Sequence, residues 1–218
     1  MTHLISRFFS CGSFFKTYLR DLFHTGFLAA LGVVCFATAA NADVPAVSDK
    51  YHISVYWAKN SPERFVDILT RMSPEFRRSY LVALAGGCRI ARWKWIRFDV
   101  EGQGVLHTGM QEHFELNAVA VARWMDFPWD HWIDTRIAFG EGLSYAFRTP
   151  HLEPRKNPDA ERSARLLNYL LAEVETLVPK LPQWSVFVRV HHRSGVFGAF
   201  GKVRGGSNFI GTGIRYYF

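Results

Sequence analysis

The chain has 218 residues, with 26 Lys and Arg against 19 Asp and Glu for a formal net charge of +7, and 16% of it is aromatic. Its length allows one domain with a sizeable core. No apolar stretch after Ala42 reaches the ~20 residues of a helical membrane span, which excludes a helical bundle in lipid. The cationic excess would suit nucleic acid, but an exported chain seldom meets any, so no nucleic-acid partner is expected.

Export is read from the first 42 residues. Arg7, Lys16 and Arg20 precede the apolar run Phe27 to Phe36, and the small-residue stretch Ala37-Thr38-Ala39-Ala40-Asn41-Ala42 follows. A charged lead, a short apolar centre and an A-x-A ending describe a signal peptide cleaved after Ala42. Residues 43–218 then form the mature domain. Cys11 and Cys35 leave with the leader, so Cys88 stands alone and no internal disulfide is expected.

Beyond Ala42, segments of roughly ten residues rich in aromatic and β-branched side chains recur between Gly, Pro, Asn and Asp, the signature of a transmembrane β-barrel. In chain order the expected strands are Tyr51 to Trp57, Ser79 to Ala85, Trp93 to Val100, His113 to Trp124, Thr135 to Phe147, Leu166 to Leu177, Trp184 to Arg193 and Ser207 to Phe218. A short helix is expected near Ser61 to Leu69, inside the first long connection. Alternation is clearest at the end. Trp184, Val186, Val188 and Val190 share one face, opposite Ser185, Arg189, His191 and Arg193. Ile210, Thr212, Ile214, Tyr216 and Phe218 share another, opposite Gly211, Gly213, Arg215 and Tyr217.

The expected fold is therefore all-β, an eight-stranded antiparallel transmembrane barrel of the outer-membrane type. A soluble periplasmic barrel or sandwich is the rival architecture. The terminal Tyr216-Tyr217-Phe218 favours the membrane, because a final aromatic on an amphipathic last strand resembles the signal read by the outer-membrane assembly machinery. The expected location is the bacterial outer membrane, with its lipid and lipopolysaccharide as partners. Trp124, Trp129 and Trp132 suit an interfacial aromatic girdle.

The segment that points to chemistry is Arg189-Val190-His191-His192-Arg193-Ser194-Gly195, followed by a glycine-rich loop and Gly205-Gly206-Ser207-Asn208. Residues i and i+2 of a strand share a face, so His192 and Ser194 lie together on the face expected to meet lipid. A serine hydroxyl needs a base to become a nucleophile, and its transition state needs oxyanion donors. His192 is the candidate base, Ser194 the nucleophile, and the Gly195 N–H and the Asn208 amide are candidate support. His192-Arg193-Ser194 near the end of the seventh strand resembles the His-x-Ser motif of outer-membrane lipid A deacylases of the PagL type. That resemblance implies hydrolysis of an ester-linked acyl chain of lipid A, with a carboxylate on the eighth strand orienting the histidine. The chain departs from the family there, since Trp184 to Phe218 contains no Asp or Glu and Gly195 stands where the family has Asn. Asn208 can orient a histidine as an amide does in some cysteine proteases, and Glu153 or Glu141 are the possible orienting acids.

A non-catalytic barrel with a structural or lipopolysaccharide-binding role is the alternative, with Arg189 and Arg193 in a rim that binds phosphates. Glu112-His113-Phe114-Glu115 reads as part of a polar interior paired with Arg97 or Arg136, and Asp99 and Glu101 as partners of Arg97. No metal and no cofactor are expected. Glu141 has the parity of Ile137, Phe139, Leu143 and Tyr145, so a bulge at Gly140 or Gly142 turns it inward or the costly lipid-facing carboxylate has a role.

Overall fold

A computed structural model describes residues 49–71, 74–153 and 163–218, so the expected leader and its cleavage point lie outside the described residues. The strands are β1 (Tyr51–Ser61), β2 (Ser79–Trp93), β3 (Ile96–Gly109), β4 (His113–Trp124), β5 (Thr135–Ala146), β6 (Leu166–Val178), β7 (Leu181–Ser194) and β8 (Gly206–Tyr217). Each pairs antiparallel with its neighbour, and β1 pairs with β8 to close the barrel. At the seam the Tyr51 and Phe218 backbones exchange both hydrogen bonds at 3.0 Å. The expected all-β, eight-stranded barrel is the fold observed.

Several strands run past their expected ends: β1 reaches Ser61, β3 reaches Gly109 and β7 starts at Leu181, and the largest difference lies at the β2–β3 hairpin. β2 continues to Trp93, and β3 begins only at Ile96. The hairpin turns on Lys94-Trp95, with Lys94 at φ +54°, and neither residue is a usual turn former. The glycines at 86 and 87 lie inside β2 instead. A Cβ on Gly87 would sit 2.4 Å from His52 Cε1 and 2.9 Å from the Val100 carbonyl, so the glycine makes room for an imidazole in the lumen.

Strand alternation sorts the side chains into two solvents. The outward rows expose Ile53, Val55, Val82, Leu84, Val100, Leu106, Phe114, Leu116, Phe139, Leu143, Val174, Val188 and Ile214. So large an apolar exterior is a liability in water and is the surface a barrel presents to lipid. Near the barrel end that holds Tyr51 and Phe218, Trp93, Trp95, Trp124, Trp129, Trp132 and Trp184 are exposed, with Trp95 against Trp124 and Trp184 against Tyr216.

The lumen is filled rather than open, as eight strands leave room only for side chains. Its middle is an ion-pair lattice. Glu173 accepts from Arg123, Arg189 and Arg215 at 2.7–2.8 Å. Glu175 takes Arg123 at 2.6 Å and Arg215 at 3.0 Å, and Glu101 takes Arg189 at 2.8 Å. Arg97 binds Asp99 as expected, while Glu101 belongs to Arg189, Arg215 and His52. Glu115 pairs with His107, His191 and Arg193 and not with Arg97 or Arg136.

Arg189 and Arg193 are 1% exposed. Their odd-numbered parity turns them into the lumen, so the expectation that they bind lipopolysaccharide phosphates is corrected. Removing one partner of such a lattice strands charge away from water, at a cost of about 3–5 kcal/mol. Glu173→Ala is therefore expected to lower the urea midpoint of the micelle-embedded barrel markedly, whereas an unchanged midpoint would mean that the lattice contributes no stability.

Candidate functional site

The helix α1 (Phe65–Arg71) belongs to the β1–β2 connection, close to where a short helix was expected. It does not stand above the barrel. Ile68 packs with Ala172 and Val190, joined by Phe65, Leu69 and Ile210, and these strand residues have outward parity. The helix thus lies on the outer wall across β6, β7 and β8. Its cover explains why Ala172 (6% exposed) is buried although it faces outward, and the Glu63 carbonyl just before the helix meets the equally buried Asn208.

At the start of that helix the wall becomes polar. The registers set His192 opposite Asn208, Ser194 opposite Gly206 on one side, and Ser194 opposite Asn168 on the other. Asn208 Nδ2 donates to the Glu63 carbonyl at 2.6 Å, and Asn208 Oδ1 lies 2.6 Å from His192 Nδ1. A carbonyl can only accept, so Glu63 dictates which end of the amide faces the imidazole. The oxygen that remains can also only accept, so His192 Nδ1 carries the proton. The lone pair is thereby left on Nε2, the form a general base requires. Phe65 lies against the imidazole with ring centroids 4.9 Å apart and limits its rotation.

His192 and Ser194 share the outward face, as expected. No hydrogen bond joins them among the described residues, and apo sites often tighten such contacts only around substrate. Both lean over Gly206, where a Cβ would lie 2.9 Å from His192 Cε1 and 3.1 Å from Ser194 Cβ. The bare backbone of Gly206 therefore leaves space shared by the two side chains.

Three other expected participants are placed differently. The Gly195 N–H donates to the Gly205 carbonyl at 3.1 Å, so it is not available as an oxyanion donor. Gly195 is required for packing instead, because a Cβ there would lie 2.0 Å from the Val203 carbonyl. Glu153 pairs with the lumen-facing Arg193. Glu141 makes no contact with His192. β5 pairs without a bulge, so Glu141 keeps its outward parity and accepts from Asn168 Nδ2 at 3.4 Å.

Asn168 is the residue that sequence reasoning missed. It faces Ser194 across the β6–β7 ladder, where directly opposed side chains are about 4.5–5.5 Å apart at Cβ. Its Nδ2 makes only long contacts, to Glu141 and to the Gly142 carbonyl at 3.3 Å, and its buried Oδ1 has no partner. The signal available in the sequence was its parity, an asparagine on the outward row of β6. Next to this polar row runs an apolar groove of about 430 Å³, lined on the outward side by Phe65, Ile90, Phe98, Ala120, Ala122, Phe139 and Leu170 with Glu141 at its edge.

The architecture defines a class: a closed eight-stranded antiparallel barrel of the outer-membrane type, apolar outside and ionic within. The chain is similar in structure to the outer membrane enzyme PagL, with a TM-score of 0.51 and 13% identity over 77% of this chain and 99% of that one. This likeness is one of fold. Neisserial surface protein A (NspA) also matches, with a TM-score of 0.45 and 13% identity over 79% of this chain and 99% of that one. No protein-family model matches the chain, and no curated protein does.

The tautomer assignment is open to ¹⁵N NMR of the histidines in micelles. His192 is expected as the Nδ1–H form in the wild type and as a mixture in Asn208→Ala. A dominant Nε2–H form in the wild type would contradict the hydrogen-bond chain.

Proposed function

We propose that the chain is an outer-membrane esterase that removes an ester-linked acyl chain from lipid A, working on the lipid-facing wall of its barrel. The observation that carries this reading is the Glu63–Asn208–His192 chain of hydrogen bonds, which holds a histidine as the Nδ1–H tautomer beside Ser194. An imidazole held in this way presents its unprotonated Nε2 on the side of Ser194, the form a general base requires.

Ser194 Oγ attacks the ester carbonyl carbon while His192 Nε2 takes its proton. The carbonyl oxygen becomes an oxyanion, and the Asn168 amide across the ladder is the side-chain donor placed to meet it. Collapse breaks the ester C–O bond. His192 returns the proton to the departing alkoxide, leaving an acyl chain on Ser194. Water, deprotonated by the same nitrogen, releases the fatty acid and restores the serine. Asn208 fills the orienting position of a carboxylate and keeps the imidazole in one tautomer. Support for the substrate class comes from the groove, whose apolar lining suits an acyl chain running down the barrel wall beside Leu170.

Phosphate recognition passes from the two buried arginines to the exposed cations of the connections at this end, among them Arg64, Arg77, Arg78, Arg148, Arg165 and Arg204. They form a rim that attracts the lipid A headgroup. We further propose that Phe218, paired with Tyr51 at the closed seam, is read by the assembly machinery of the outer membrane.

Mass spectrometry of lipid A decides the activity. Cells expressing the wild type are expected to lose one ester-linked acyl chain, and cells expressing Ser194→Ala to keep it. Unchanged lipid A under a folded, membrane-inserted wild type would overturn the esterase and leave a barrel with a structural or lipopolysaccharide-binding role. Asn168→Ala is expected to lower turnover by about 10²–10³ with little change in KM, and equal activity would remove Asn168 from the oxyanion site.

A further inference from the structure

The lumen near the outer end of the wall holds a second cluster that the esterase does not use. His107 comes from the end of β3, Glu115 from β4 and His191 from β7. One ligand atom from each lies within 4.8 Å of the other two. His107 Nε2 and His191 Nε2 are each 3.0 Å from one of the two Glu115 carboxylate oxygens. All three residues are at most 1% exposed. Two imidazoles and one carboxylate converging from separate strands form a ligand set suited to zinc and related divalent transition metals. They do not suit calcium or magnesium, which prefer oxygen ligands throughout.

An independent observation points the same way. The His113 side chain is 2% exposed, and its Nε2 lies 3.8 Å from Glu115 Oε2 with no hydrogen-bond partner. A buried polar nitrogen without a partner is costly. His113 stacks on His107 at 4.2 Å and 10°, so the two ring planes are nearly parallel and offset, and one ion cannot lie in both. His113 Nε2 is placed instead to accept from a water on the ion.

The outer partners fit as well. His191 Nδ1 is 2.9 Å from the Tyr56 hydroxyl and 3.3 Å from that of Tyr169. His107 Nδ1 is 3.2 Å from the Gln111 amide, whose oxygen is buried without a partner. Turning that amide gives His107 Nδ1–H an acceptor. Both imidazoles can therefore move their proton to Nδ1 and present Nε2 to a metal, with their outer nitrogens still engaged. Arg193 Nε, 3.5 Å from Glu115 Oε2, is the opposing charge, and it is matched by Glu153.

We infer that His107, Glu115 and His191 bind one divalent transition metal, of the zinc class, that ties β3, β4 and β7 together inside the lumen, with His113 holding the water at its fourth position. The test uses tag-free full-length barrel, refolded in detergent, stripped with chelator and reloaded with Zn²⁺ before gel filtration and elemental analysis. One zinc per chain is expected in the wild type. Stoichiometric retention should be lost in His107→Gln and His191→Gln, and affinity should fall about 10–100-fold in His113→Ala. Folding of each variant is read independently from heat-modifiable migration, and a variant that does not fold is replaced by Glu115→Gln. No zinc on folded wild type would overturn the site. Retention undiminished in the folded ligand variants would also overturn it, placing the ion elsewhere, as at the exposed His131 or His151.

Discussion

One amide sets the chemistry of the outer wall. Asn208 gives its N–H to the Glu63 carbonyl and its oxygen to His192 Nδ1, and neither partner leaves it a choice. The carbonyl cannot donate, so the amide cannot flip. The amide oxygen cannot donate, so the imidazole cannot change tautomer. In this way a loop backbone on one side of β8 determines which nitrogen of a β7 histidine is basic. A carboxylate would hold the same proton more strongly, but it would also place a full charge on a face turned toward lipid, where charge is expensive. The amide orients with less desolvation cost.

That arrangement depends on the barrel in two ways. Strand alternation sends His192, Ser194, Asn168 and Asn208 outward while their neighbours His191, Arg193 and Ser207 turn inward. The inward set is locked, with Arg189, Arg123 and Arg215 bridging Glu101, Glu173 and Glu175 across the lumen. A buried lattice of this kind gives the wall a rigid back, so the outer site is mounted on strands that cannot slip in register. The helix α1 supplies the front. It packs on Ala172 and Val190, presses Phe65 on the imidazole and borders the apolar groove.

Much of this was legible in the chain. β7 and β8 alternate cleanly because one side meets lipid and the other meets the ion-pair lattice, so the outward faces of His192, Ser194 and Asn208 followed from parity. The same parity places Arg189 and Arg193 in the lumen, and treating them as a phosphate-binding rim overlooked it. The β2–β3 boundary was hidden because glycine serves inside those strands to admit His52, while the true turn uses Lys94 and Trp95. Asn168 could not be joined to Ser194 without the β6–β7 register, which no local pattern specifies. The docking of α1 on the wall is a tertiary event of the same kind. A helix signal near Ser61 to Leu69 says nothing about where its apolar face will settle.

We propose that Ser194 is a nucleophile activated by His192 on the lipid-facing wall. The most direct test is covalent labelling of the micelle-embedded barrel with a lipophilic fluorophosphonate, followed by peptide mapping. One adduct is expected, on Ser194, formed rapidly in the wild type and lost in His192→Ala. A folded wild-type barrel that takes no label at Ser194, or one labelled equally fast without His192, would contradict it.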